Sequence, residues 1–315
     1  MITGWRVDSA GVESNKEREA KSKAEGSEMS DAADITIQQI SDNPIRCLTA
    51  YTKLILESTA AAELDPHIDR IKALAGQHME DVPELDWIIR LLAAGKAAVH
   101  IKSVSTGDTS DDWRENTLSG PLKDAISTAR RWVHGYGTPK PPQFREPIVI
   151  VAGGTAPSVE AEIQRYWPLI ERTFAEFTGT IISGGTTAGV CGLVGDVESS
   201  AMPQPRKLAY LRERLPESAR IHPSYQIIRI PGEGFTPLEP IQAWIDILSS
   251  GIDPIRVKLL GIDGGDISAF EYRFALAVGA SASIVQDSGR AASEIAADEY
   301  WGQLLESRGL SYWTA

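Results

Sequence analysis

GTIISGGTTAG, residues 179–189, sets a short β-branched run and one serine before two adjacent glycines, two threonines, an alanine and a third glycine. The apolar run is too short for a buried helix, and its closing glycines interrupt one. A short apolar run ending in a glycine turn reads instead as a strand buried on both faces. The same texture recurs in PIVIVAGG at 147–154, YQIIRIPG at 225–232, VKLLGIDGG at 257–265 and ASIVQDSG at 282–289, with KLAYL at 207–211 as a further short strand. Amphipathic stretches at about 159–177, 238–250, 267–278 and 291–305 lie between or after them. Strands alternating with helices predict an α/β fold, a Rossmann-like doubly wound and mostly parallel sheet over residues 147–310.

Upstream the period changes. Residues 35–135 repeat apolar positions at helical spacing, as in Ile45, Leu48, Leu54 and Ile55. Asp65-Pro66 supplies a cap and a first-turn proline, and Pro83 opens a second run with Trp87, Ile88, Leu91 and Leu92 as its apolar stripe. A further helix is expected from about 121 to 134, after the polar stretch 105–116. These features predict a small helical module. Residues 136–146, with Gly137, Pro139, Pro141 and Pro142, suit neither helix nor central strand and read as a linker. Residues 1–34 are charged and nearly empty of large apolar side chains, which predicts a disordered tail.

Composition narrows the function classes. The formal charge of −12 and the lack of any lysine or arginine run argue against nucleic acid as a partner. No apolar run approaches the ~20 residues that span a bilayer, and no secretory leader is visible at the N-terminus, so a cytoplasmic protein without membrane attachment is expected. Cys47 and Cys191 have no partner spacing for a disulfide framework or zinc. His67, His78, His100, His134 and His222 are scattered, so neither a metal nor a resident cofactor is expected. The remaining partner is a small ligand, and self-association is compatible with all of this.

In a parallel sheet with right-handed crossovers every strand-to-helix turn lies along one edge. The turns are Gly153-Gly154-Thr155, Gly184-Gly185-Thr186-Thr187-Ala188-Gly189, Gly264-Gly265-Asp266 and Asp287-Ser288-Gly289-Arg290. Glycine lets backbone approach a ligand closely, and amides at the start of the next helix favour an anion, so phosphate is the natural guest. Arg290 begins a helix, where the dipole repels a cation; a bound anion explains that placement, and a salt bridge to a carboxylate such as Glu294 is the structural alternative. The tryptophans read as core anchors. Trp244 is the exception considered, because it follows the loop Pro231-Gly232-Glu233-Gly234, which is placed either to close over a ligand or to act as a plain turn. No Ser/His/Asp arrangement is identifiable.

Three stretches carry a resemblance: Thr180–Val190 with its glycine-threonine turn, the pair Gly264-Gly265, and Asp287–Ala292. In that order they resemble the SLOG superfamily (Smf/DprA, LOG and TRPM) of nucleotide-binding Rossmann-like domains, most closely the TRPM-type domain and its prokaryotic relatives. The likeness covers residues 147–305, and the helical half contributes nothing to it. It implies binding of ADP-ribose or a related, sometimes cyclic, nucleotide, with Gly185, Thr186, Gly289 and Arg290 on phosphates and ribose, and a sensor role such as antiviral defence signalling. The LOG branch implies an alternative. Its members hydrolyse nucleoside monophosphates with a PGGxGTxxE motif, and Gly264-Gly-Asp-Ile-Ser-Ala-Phe-Glu271 stands at the equivalent place. Glu271 would then be catalytic, although Asp263, Ile267 and Ser268 depart from the motif's proline, glycine and threonine. A non-enzymatic interaction scaffold, with the helical half as its working part, is the third reading.

Overall fold

The computed structural model describes residues 32–105 and 119–307. The expected tail, apart from its last three residues, and nearly all of the polar stretch 105–116 lie outside the described residues. Six strands, β1 (Ile148–Gly153), β2 (Thr180–Ile182), β3 (Arg206–Arg214), β4 (Gln226–Glu233), β5 (Val257–Ile262) and β6 (Ser281–Ile284), form one sheet in the order β4-β3-β2-β1-β5-β6. Every pairing is parallel, with Ile148 opposite both Thr180 and Val257. The fold is therefore α/β and Rossmann-like, as the alternating texture predicts.

The strand pleat sorts the side chains into two cores. Ile148, Ile150 and Ala152 of β1 join Leu208, Tyr210, Ile230 and Leu259 on one face. Val151, Ile181, Ala209, Leu260 and Ile262 point to the other. The chain before the sheet forms α1 (Ile37–Asp42), α2 (Pro44–Glu57), α3 (Asp65–His78), α4 (Glu84–Val104) and α5 (Gly120–Val133). Among the described residues, these helices share a continuous core with the first face of the sheet. α4 is apolar almost all round, with Leu85, Ile88, Leu92, Ala94 and Ala97 each buried, and such a helix needs neighbours on every side.

Between β1 and β2 the expected long helix is broken. Short turns at Pro157–Val159, Glu160–Ile163 and Gln164–Tyr166 precede α6 (Trp167–Phe174), because Pro168 has no N–H to continue a helix and fits its first turn. α7 (Gly189–Asp196) follows β2, and both α6 and α7 cover the second face. α8 (Leu238–Ser249), between β4 and β5, and α9 (Asp266–Val278), between β5 and β6, cover the first. The C-terminal helix expected at 291–305 is two, α10 (Arg290–Ala297) and α11 (Glu299–Ser307). Asp298 leaves helical geometry between them, and its carboxylate caps α11 by accepting from the amides of Tyr300 and Trp301. No helix among the described residues is long and apolar enough to cross a membrane.

The order of strands reverses at β1, whose neighbours are β2 on one side and β5 on the other. Connections on the two sides run over opposite faces, so the turns at this point diverge and leave a crevice at the carboxyl ends of the strands.

Candidate functional site

The first three glycine turns meet at that crevice through their own backbones. The Gly154 amide donates to the Ile262 carbonyl at 3.1 Å, and the Gly154 carbonyl accepts from the Val190 amide at 3.0 Å. Neither crossing leaves room for a side chain. A Cβ on Gly153 would lie 2.1 Å from the Ile262 carbonyl oxygen, and one on Gly189, whose φ is +53°, would lie 2.1 Å from that of Gly154. These glycines bring three chain segments together.

Several of the amides expected to cradle phosphate are already occupied. The Gly189 amide, at the start of α7, donates to the Glu160 carboxylate at 2.8 Å, so the chain supplies its own anion at that helix dipole. The Thr187 amide donates to the Arg220 carbonyl at 2.9 Å. In the fourth turn the Ser288 hydroxyl accepts from the Asp263 amide and donates to the Val285 carbonyl, both at 2.7 Å. Arg290 makes a bidentate pair with Asp263, Nε to Oδ1 at 3.0 Å and Nη2 to Oδ2 at 2.6 Å. Its partner is Asp263 rather than Glu294. A Cβ on Gly289 would lie 2.8 Å from the same carboxylate. The Asp263 side chain is 2% exposed, so removing Arg290 strands a buried charge. Arg290→Ala is expected to destabilise the protein by about 2–4 kcal/mol, the lower part of the range for breaking a buried pair, because the arginine itself is partly solvated. Removing both charges together, in Asp263→Asn with Arg290→Ala, should cost less than Arg290→Ala alone; urea denaturation of the double variant and of the two single variants measures this, and an additive result refutes it.

Beside these turns lies a cavity of about 170 Å³. Its floor is the ends of β1, β2 and β3, with Gly153, Ser183, Gly184 and Tyr210; Thr155 and Thr186 stand at its side. Across from them α8 contributes Glu239 and Ala243, and α9 contributes Ile267, Ser268 and Glu271. Of the residues expected at the site, Gly153, Thr155, Gly184, Thr186 and Glu271 line this cavity. Gly154, Gly185, Thr187, Gly189, Gly264, Gly265, Ser288, Gly289 and Arg290 build the turns around it without lining it. Glu239, Ser183, Tyr210 and Phe235 were not anticipated. Phe235, 45% exposed, stands at the mouth and is the aromatic group available to a ligand there. Trp244 is fully buried in the first core against Phe274 and takes no part.

The cavity is acidic, and no lysine or arginine lines it. Burial first, and then the charge of Glu239, push the Glu271 carboxyl up to about 8. No hydrogen-bond partner for it appears among the described residues, so its polar atoms are left to whatever enters the cavity. Glu239 is also raised by burial, opposed by the Thr236 hydroxyl and amide, which donate to it, and by the positive field of Arg212. Two carboxyl groups whose charges repel across a small cavity hold at least one proton near neutrality, which lets the pair both donate and accept.

Outside the crevice, His222 bridges Asp196, at 3.0 Å from Nε2, and Ser224, at 2.9 Å from Nδ1. This Ser-His-Asp string was not visible in sequence. The Ser224 hydroxyl lies 2.9 Å from the Gly195 carbonyl and donates to it, and the Ser224 amide donates to Nδ1, so the group ties a loop to the end of α7. Among the described residues no cluster of three or more His, Cys, Asp or Glu is arranged to hold a metal ion. No protein-family model and no curated protein sequence matches this chain.

Proposed function

We propose that the chain binds a nucleotide of the ADP-ribose type with a ribose inserted between Glu239 and Glu271. The observation that carries this reading is the Glu271 carboxyl, unpartnered and facing a cavity at the point where the strand order reverses. Carboxyl groups are good partners for vicinal ribose hydroxyls because they accept two hydrogen bonds side by side, and a protonated one also donates. Size supports a partial insertion: drug-sized ligands fill about 300–1,000 Å³, more than this cavity offers, so the sugar enters and the rest of the nucleotide extends past Phe235. The likeness of the glycine turns to SLOG domains points to the same ligand class.

A second reading, hydrolysis of an N-glycosidic bond, is favoured by the raised Glu271 carboxyl. In it the C1′–N bond breaks with its electron pair going to the base, the base takes the Glu271 proton, and water adds to C1′ while its proton passes to Glu239. Ligand binding and chemistry separate cleanly. ADP-ribose, its cyclic isomers or NAD, at about 100 times the dissociation constant, should stabilise the protein by about 2.7 kcal/mol. Thermal denaturation with each compound measures this, and no shift with any of them rejects the binding reading. Release of free adenine from AMP, lost in Glu271→Gln, would establish the hydrolase.

A further inference from the structure

Arg212 lies two residues beyond Tyr210, so it shares the strand face that carries Tyr210 into the cavity wall. Its guanidinium covers Gly232 of β4, where φ is +113° and a Cβ would fall 2.1 Å from Nη2, so the neighbouring strand keeps this position bare for it. Phe235 and Thr236, which follow closely, line the mouth of the cavity.

The other arginines at this end of the sheet are engaged. Arg290 is paired with Asp263, Arg214 with Glu233, and Arg229 donates to the Arg212 carbonyl. Arg212 differs. Its Nε is buried without a hydrogen-bond partner, and among the described residues no carboxylate lies within ion-pair distance of it. Glu239 feels its field but turns its oxygens to Thr236. A planar guanidinium seated on a bare strand, with its buried Nε unspent, no carboxylate among the described residues at ion-pair distance, and Phe235 and Thr236 of the cavity mouth following shortly after Gly232, is suited to a phosphate group.

We propose that Arg212 holds a phosphate at the β3–β4 side of the mouth, so that the site selects phosphorylated ribosides over neutral nucleosides. The inference rests on the nucleotide reading above and adds where the charge sits. Ribose between the two glutamates, phosphate on Arg212 and the base toward Phe235 place each part of the ligand against matching chemistry. It also explains how an anionic ligand tolerates an acidic cavity: the uncharged sugar faces the carboxyl groups and the charge stays outside them.

Calorimetric titration of the full chain with AMP and with adenosine tests this, alongside ³¹P line broadening of inorganic pyrophosphate. In the unaltered protein AMP should bind at least about tenfold more tightly than adenosine, the value of one good charge-assisted contact. Arg212→Gln should remove most of that preference, leave adenosine within about twofold, and abolish the pyrophosphate broadening; Arg212→Lys, which keeps charge without the fork, should fall between. An unchanged preference for AMP in a folded Arg212→Gln protein overturns the proposal while leaving the ribose site standing. Pyrophosphate held by Arg212 with no affinity for adenosine or AMP keeps the anion site and discards the nucleotide reading. No binding of any of the three overturns both.

Discussion

Asp246→Ala is expected to cost the fold about 3–5 kcal/mol, among the largest effects of any single polar substitution in this protein. The carboxylate lies on α8, fully buried, and accepts from four donors: the Thr138 amide at 3.0 Å, the Thr138 hydroxyl at 2.9 Å, the Tyr210 hydroxyl at 3.0 Å and the Gln242 amide at 3.1 Å. Burial raises its pKa and the four donors oppose that shift. Thr138 belongs to the connection between the helices and the sheet, Tyr210 to β3, and Gln242 in turn accepts from Arg90 of α4 at 3.1 Å. One carboxylate thus ties the connecting segment, the sheet and the N-terminal helices together. Alanine leaves these donors without partners where water does not reach, and partly satisfied networks are costlier than none. Thermal unfolding should shift down by about 10 °C, and Asn, which keeps an acceptor, should recover at least half of the loss. A change below about 1 kcal/mol would show that the network carries no weight. Because Tyr210 also walls the cavity, the nucleotide binding proposed above should weaken in the alanine variant before global unfolding begins.

Glu271→Gln should stabilise the protein in alkaline solution by about 2–4 kcal/mol and flatten its pH dependence. The folded carboxyl titrates at about 8 against an ordinary value of 4.5. Between these values the folded state holds a proton that the unfolded chain releases, so stability falls as pH rises through the window. The full shift sets an upper bound near 5 kcal/mol, and water entering the cavity screens part of it. Glutamine has no proton to lose, so it escapes the penalty. Glu239 is shifted in the same direction by burial and leaves a smaller residual slope. Urea denaturation of both proteins at pH 5, 7 and 9 measures the difference; parallel stability curves would mean that Glu271 is solvated and that neither burial nor Glu239 raises its pKa. A buried carboxyl with a strongly raised pKa in a cavity is a candidate for binding or chemistry, and both proposed readings of this cavity use it.

Much of the sheet was legible because its physical signal is local. A β-branched run ending at a glycine is written in consecutive residues, and β1, β2, β5 and β6 follow such runs closely. Helix interruptions were less so. Pro168 and Asp298 break the two helices that periodicity alone would have drawn through them, the first by lacking an amide proton and the second by capping the next turn with its side chain. Of the residues that line the cavity, Glu271 and the turns at Gly153, Gly184 and Thr186 are among those the motif pattern singles out. Glu239 was not, because Glu239, Gln242 and Asp246 make a polar stripe at helical spacing, which ordinarily faces water. Here that stripe turns inward, toward Tyr210 and the cavity. The same holds for the arginines. Arg290 stood out by its place at a helix start and is paired with Asp263, whereas Arg212, just past the short KLAYL run, keeps a buried Nε without a partner.

The linear order of residues by itself determined the alternation of strands and helices, and with it the parallel sheet and the edge at which its turns gather. Chirality and hydrophobic period leave few other solutions for such a chain. Which charges at that edge cancel one another, and which remain for a ligand, was decided only by tertiary structure. Ion pairing depends on distances of a few ångströms between side chains far apart in sequence, and burial sets the strength of each charge that is left.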